Sequence, residues 1–258
     1  MLRRAFIFIY GLASYAVFFA TFLYAIGFIG NFLVPRSIDG VPQVGLIQAL
    51  LVDLGLLMLF AVQHSVMARP AFKRVFTRLI PESAERSTYV LASSAALIAL
   101  FYYWQPIGGQ IWNVTDPTWR GVLYGVYAFG WLLLLYVTFL INHFDLFGLR
   151  QVWLELVDRP YTDVGFKMPA LYRLVRHPLY IGWLVIFWAT PSMSATHLLF
   201  AIATTGYILV AIQLEEHDLE AQLGADYRDY KRRVPMLIPF TKRGGGISRD
   251  RREISAAN

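Results

Sequence analysis

Six apolar runs divide the chain, at roughly 5–34, 44–68, 87–104, 119–141, 178–192 and 195–214, and the charged residues gather between them. A helix needs about 20 apolar residues to cross a hydrocarbon core, so the first four runs predict spanning helices. The last two are shorter, and predict a helical hairpin that either crosses as a tilted pair or dips in and returns. The expected fold is all-α: a polytopic membrane helical bundle of five or six membrane segments, with a C-terminal helical hairpin and a cytoplasmic cap. The chain then divides into an N-terminal four-helix membrane region (1–141), a cofactor-binding connection, hairpin and cap (142–240), and a polar tail (241–258). The tail is broken by Gly244-Gly245-Gly246 and is expected to be disordered.

Composition agrees with the pattern. Hydrophobic residues make up 57% of the chain and charged residues 16%, with a mean hydropathy of +0.49, far too apolar for a water-soluble domain of this length. Arg3 and Arg4 precede the first run as in a signal peptide, but an h-region spans about 7–15 residues, and this run is much longer. It reads as the first spanning helix.

Charge placement orients the bundle. Of 23 Lys and Arg residues, all but Arg36 and Arg120 fall on one side if the six runs cross. By the positive-inside rule both termini and the two long connections are cytoplasmic. Anionic lipid headgroups account for the net charge of +6, so membrane lipids are expected partners and nucleic acid is not. The chain has no cysteine, which excludes disulfides, thiolate catalysis and thiolate metal sites.

The ionisable groups then stand out. Asp53 lies mid-span on the face that carries His64, eleven residues or about three turns away; it reads either as a functional carboxylate or as a hydrogen-bond partner for a neighbouring helix. Gln63-His64-Ser65 ends the second run, and Asn142-His143-Phe144-Asp145 ends the fourth at the same level, with Arg150 following. Interfacial solvation explains such groups as well as chemistry does. No tight spacing of His with carboxylate appears, so no metal is expected.

The hairpin is more specific. Its turn falls near Pro191–Ala195, so antiparallel pairing sets Arg176 and His177 opposite Glu215 and Glu216. That is a site, or a salt bridge closing the hairpin. Pro178 suits a first helical turn, where its missing N–H goes unused. Gly182 leaves room for a ligand or for another backbone. Beyond Gly224, Tyr227 and Tyr230 share a helical face, either as a stacking surface or as interfacial aromatics.

These residues form a series, Arg-His-Pro-x-Tyr-x-Gly at 176–182, Glu-Glu at 215–216, Gly224, Tyr227, Tyr230 and Arg233-Val234-Pro235, that resembles the isoprenylcysteine carboxyl methyltransferase superfamily of membrane methyltransferases. The resemblance covers about the last third of the chain and implies S-adenosyl-L-methionine as cofactor. Arg176, His177, Pro178, Tyr180, Gly182, Glu215, Glu216, Tyr227 and Tyr230 become the cofactor-binding candidates. The rest of the chain, through Gln63-His64-Ser65-Val66-Met67-Ala68-Arg69 and His143-Phe144-Asp145-Leu146-Phe147-Gly148-Leu149-Arg150-Gln151, is similar to the methanethiol S-methyltransferase branch, which is related to a denitrification accessory family. That likeness implies methylation of a small-molecule thiol, methanethiol, to dimethyl sulfide at the cytoplasmic face of a bacterial inner membrane.

The implied chemistry joins a thiolate to a cationic sulfonium, and a water-poor site favours the neutralisation of charge. An ordinary alkyl thiol has a pKa of roughly 8.5, so a base or cation must favour its ionisation. His64 or His143 is the candidate base, with Asp145 orienting the imidazole; Arg150 or Arg176 is the candidate for the anion or the cofactor carboxylate. Three alternatives stay open: a lipid-linked or other thiol acceptor, a membrane reductase of the sterol type with a nicotinamide cofactor, and a non-catalytic accessory protein.

Overall fold

The structure, a computed structural model, describes residues 1–162 and 170–241. Pro169, with its neighbours in the 142–176 connection, and the tail from Lys242 onward lie outside the described residues. The helices are α1 (Leu2–Gly30), α2 (Leu46–Ala68), α3 (Pro70–Phe76), α4 (Glu82–Tyr103), α5 (Pro117–Ile141), α6 (His143–Leu146), α7 (Leu149–Leu156), a 3-10 turn at Ala170–Arg173, α8 (Pro178–Trp188), α9 (Ala195–Leu223) and α10 (Ala225–Arg233).

Four of these, α1, α2, α5 and α9, are long and apolar enough to cross a membrane. Their outward faces carry large apolar side chains, among them Phe6 (73% exposed), Ile47 (75%) and Leu51 (70%); such surfaces suit lipid, where water would penalise them. α4 has the length, 22 residues, but it packs between α1 and α2 and buries Ser87, Ser93 and Ser94. The fifth apolar run behaves differently from a full span. α8 has 11 residues, about 16 Å at 1.5 Å per residue, roughly half of a 30 Å hydrocarbon core. The hairpin is therefore lopsided: a half-length α8 lies against a 29-residue α9, whose C-terminal part runs on past the start of α8.

One close approach fixes α8. Gly130 of α5 and Gly182 of α8 face each other, and a Cβ on Gly182 would sit 3.2 Å from the Gly130 carbonyl oxygen and from Leu134 N and Cβ. A backbone is thus the neighbour that Gly182 meets on α5. Around this contact the core gathers Trp131 and Leu134 from α5, Ile186 and Phe187 from α8, and Phe200, Ile208 and Ile212 from α9, continuous with Phe28, Leu100 and Trp104.

The two ends of the bundle differ. At one end Arg3 meets Glu155 (3.2 Å), Arg4 meets Asp158 (2.5 Å), and Arg69 meets Asp218 (2.8 Å). At the other, Arg36 and Arg120 donate to the carbonyls of Tyr102 (2.5 Å) and Val114 (3.1 Å). There β1 (Gln110–Asn113) pairs antiparallel with β2 (Ser192–Ser194), satisfying backbone groups next to the α8–α9 turn. Asp53 belongs to this end. Its Oδ1 accepts from the Gln105 N–H (2.8 Å), fastening α2 to the end of α4, while Oδ2 is buried with no hydrogen-bond partner among the described residues. The structure gives it the helix-linking reading.

Candidate active site

At the charged end, α8 opens on His177 as its N-cap with Pro178 in the first turn. The backbone just before it is strapped by the segment after α10: Arg176 N–H donates to the Pro235 carbonyl (2.9 Å) and His177 N–H to that of Met236 (3.2 Å). This places two buried side chains opposite Glu216 on α9, as the hairpin spacing predicted. Arg176 Nε donates to Glu216 Oε1 (2.7 Å), and His177 Nε2 lies 2.9 Å from the same oxygen. Lys231 Nζ stands 3.0 Å from Oε2 and 2.6 Å from Glu220 Oε1. Those two carboxylates raise the Lys231 pKa above its ordinary 10.5, with Glu220 the larger influence. Arg176 also donates to the carbonyls of Lys231 (3.1 Å) and Val234 (2.5 Å).

Glu216 is thus enclosed by cationic donors at 2% exposure. The salt bridge closes the hairpin, one of the two readings of the pair. Glu215 is the carboxylate left for chemistry. Its side chain is 46% exposed, accepts from the Tyr180 hydroxyl (3.1 Å), and lies 3.8 Å from His177 Nδ1, beyond hydrogen-bond length. Tyr227 and Tyr230 are buried beside it, with ring centroids 5.8 Å apart. The Tyr230 hydroxyl donates to the Tyr172 carbonyl (2.6 Å). Burial pushes its pKa up to about 12, against the opposing pull of Arg176, and burial also pushes that of Tyr227 upward.

The second cluster centres on His64 in α2. Its Nδ1 is 3.2 Å from Ser93 Oγ, the Tyr89 hydroxyl is 3.0 Å from Nδ1 and 2.9 Å from Nε2, and Phe60 stacks on the ring. Ser65 Oγ pairs with the Tyr207 hydroxyl at 3.1 Å. Tyr89 and Tyr207 both lie within electrostatic reach of Tyr180, so the His64 cluster and the Glu215–Tyr180 pair adjoin. Sequence reasoning missed Tyr89, Ser93, Tyr207 and Lys231. No motif surrounds Tyr89, Ser93 or Tyr207, which lie within α4 and α9, and Lys231 reads in sequence as part of the basic run Lys231-Arg232-Arg233 at the headgroups.

Two expectations change here. Asp145 does not orient either imidazole: its carboxylate takes Arg150 NH1 (2.9 Å) and the Tyr161 hydroxyl (3.2 Å), and Arg150 also donates to Thr162. His143 is buried with both ring nitrogens occupied, Nε2 by the Tyr15 hydroxyl and Nδ1 by Thr138 Oγ1, each at 2.8 Å. Thr138 gives its own proton to the Leu135 carbonyl (2.7 Å), which makes Nδ1 the protonated nitrogen and turns Nε2 to accept from Tyr15. Burial lowers the His143 pKa, and Phe139 stacks on its ring at 4.4 Å.

The stretch 143–151 packs closely against its neighbours. Asn142 (φ 150°) caps α6, and Gly148 (φ 88°) lies so close to α4 that a Cβ would fall 2.8 Å from Ser87 N. Among the described residues no group of three or more His, Asp or Glu side chains is placed to hold a metal. Two surface grooves, one along Gly45–Val52 and one bordered by Tyr24, Arg36 and Tyr102, touch neither cluster.

No protein-family model matches the chain, and no solved structure matches it. Curated proteins do. A methanethiol S-methyltransferase of Crocosphaera subtropica is 56% identical over 93% of this chain and 94% of its own length. One of Mycobacterium tuberculosis is 54% identical, covering 94% and 99%. Nurim of Xenopus laevis is a more distant relative, 33% identical over 65% of this chain and 61% of its own. At that identity and coverage, the chain belongs to the methanethiol S-methyltransferase family.

Proposed function

We propose that this protein methylates methanethiol to dimethyl sulfide with S-adenosyl-L-methionine as donor, working at the cytoplasmic face of a bacterial inner membrane with both termini on that side. The observation that supports this most is the meeting of the two clusters at the charged end: a carboxylate–tyrosine pair, Glu215 and Tyr180, beside an imidazole ringed by hydroxyls.

The residues present fit the donor. Glu215 is half-exposed and, among the described residues, has no cationic partner within hydrogen-bond length, so it suits a sulfonium or an α-amino group; Tyr180 offers an aromatic face for a cation. Lys231, with 38% of its side chain exposed, suits the donor carboxylate. When bound, the donor supplies a methyl group on a cationic sulfur. Arg176, His177 and Glu216 touch one another and hold the α8 entrance against α9; they position Glu215 and Tyr180. The His64 cluster receives the acceptor and its proton. A small apolar thiol reaches it from lipid, and the surrounding hydrocarbon keeps the site poor in water, which strengthens the pull between opposite charges.

The test is turnover by detergent-purified protein supplied with donor and methanethiol, following dimethyl sulfide in the headspace and S-adenosylhomocysteine in solution. Equal rates of appearance are expected. Donor binding without dimethyl sulfide would overturn the acceptor, and absence of donor binding would overturn the methyltransferase reading.

A further inference from the structure

His64 is the obvious proton acceptor, yet its surroundings place another group in front of it. Ser93 Oγ approaches Nδ1 alone, whereas the Tyr89 hydroxyl lies near both ring nitrogens. One hydroxyl cannot serve both, so with Ser93 on Nδ1 the Tyr89 hydroxyl is left for Nε2. Phe60 covers one face of the imidazole. Tyr89, like Tyr207, also lies within electrostatic reach of Tyr180. With Phe60 on one face of the ring, Ser93 at Nδ1 and Tyr89 at Nε2, both imidazole nitrogens already meet hydroxyls, so the proton of an acceptor thiol reaches His64 through one of them.

We propose that Tyr89 is a catalytic residue, taking the proton of the acceptor thiol while passing its own to His64 Nε2. This rests on the methyltransferase reading above. A phenol both donates and accepts, so the exchange leaves Tyr89 neutral and His64 as imidazolium. The sulfur lone pair forms the new S–CH3 bond as the sulfonium S–CH3 bond breaks, and that bonding pair returns to the donor sulfur. The Arg86 guanidinium, 5.6 Å from the Tyr89 ring centroid, stabilises negative charge passing through the phenol oxygen. The ionisable groups around Tyr89 are Arg86 and Glu85 from α4, Arg69 at the end of α2, Tyr207 from α9 and Tyr180 from α8.

Tyr89→Phe keeps the ring and its contact with Arg86 and removes the hydroxyl alone. With methanethiol its kcat is expected to fall roughly 100-fold or more, the usual scale of general acid–base catalysis, at unchanged donor affinity. Hydrosulfide, largely ionised at neutral pH, needs no proton removed, so the same variant should methylate it at near wild-type rate. Equal loss with both acceptors, or unimpaired methanethiol turnover by Tyr89→Phe, overturns the relay while the methyltransferase reading stands. A wild-type chain that forms no dimethyl sulfide overturns both.

Discussion

Glu216→Gln is the sharpest test of the network under the site. The carboxylate is 2% exposed, Arg176 7% and His177 5%, and glutamine preserves the shape while removing the charge. Taking one partner from a buried ion pair costs about 3–5 kcal/mol, because the other charge stays buried and uncompensated. Two features argue for the lower end. Arg176 retains the carbonyls of Lys231 and Val234 as acceptors, and Lys231, 38% exposed with Glu220 still at 2.6 Å, loses little. A destabilisation of about 3 kcal/mol corresponds to a drop of roughly 6–12 °C in melting temperature for a chain of this size. The assay is intrinsic tryptophan fluorescence on heating in detergent, with Arg176→Gln and the double variant beside it. Neighbours in one network do not add, so the double variant should lose distinctly less than the sum of the two singles. A drop under about 2 °C for Glu216→Gln, or strict additivity, would refute the account of a buried charge hub.

Gly182→Ala tests the helix contact. Overpacking costs about 1–3 kcal/mol and alanine recovers about 1 kcal/mol of helix propensity, so a net loss near 1 kcal/mol is expected; a melting temperature that rises would show that the α5–α8 approach is looser than 3.2 Å implies. Asp145→Asn removes a partly exposed ion pair, worth about 1 kcal/mol or less, and should leave methanethiol turnover near wild type, whereas a collapse in kcat at intact stability would return Asp145 to the chemistry. Lys231 has a raised pKa, so its contribution to stability is present below 10.5 and is lost as pH rises beyond that value. Melting temperatures of wild type and Lys231→Met should converge at high alkaline pH, and a gap that widens there would contradict the pairing.

How far the sequence could be read follows from which contacts are local. Hydropathy located the bundle and the hairpin because each long helix carries its own apolar record, and hairpin spacing set His177 opposite Glu216 because a turn near Pro191 leaves little freedom in register. Charge asymmetry likewise separated the end that holds Arg69, Arg176 and Lys231 from the end that holds Arg36. What the sequence could not show was which partners the polar residues of a motif would meet. The run 143–151 concentrates His, Asp and Arg, and besides the local pairs of His143 with Thr138 and Asp145 with Arg150 it meets Tyr15 on α1 and Ser87 beside Gly148, contacts more than fifty residues away along the chain. Polar residues near hydrocarbon must find partners wherever the fold supplies them, and a histidine whose nitrogens both meet hydroxyls is as well satisfied as one poised to react. Tyr89 shows the converse. Nothing in Ser87-Thr88-Tyr89-Val90 marks a reactive group, and its standing comes from α2 crossing α4 at His64. The apolar run at 178–192 left crossing and dipping both open for a related reason: Trp188, Ala189 and Pro191 are as apolar as the helix before them, but the chain leaves helical geometry at Ala189 to feed β2, and hydropathy does not record where a backbone turns.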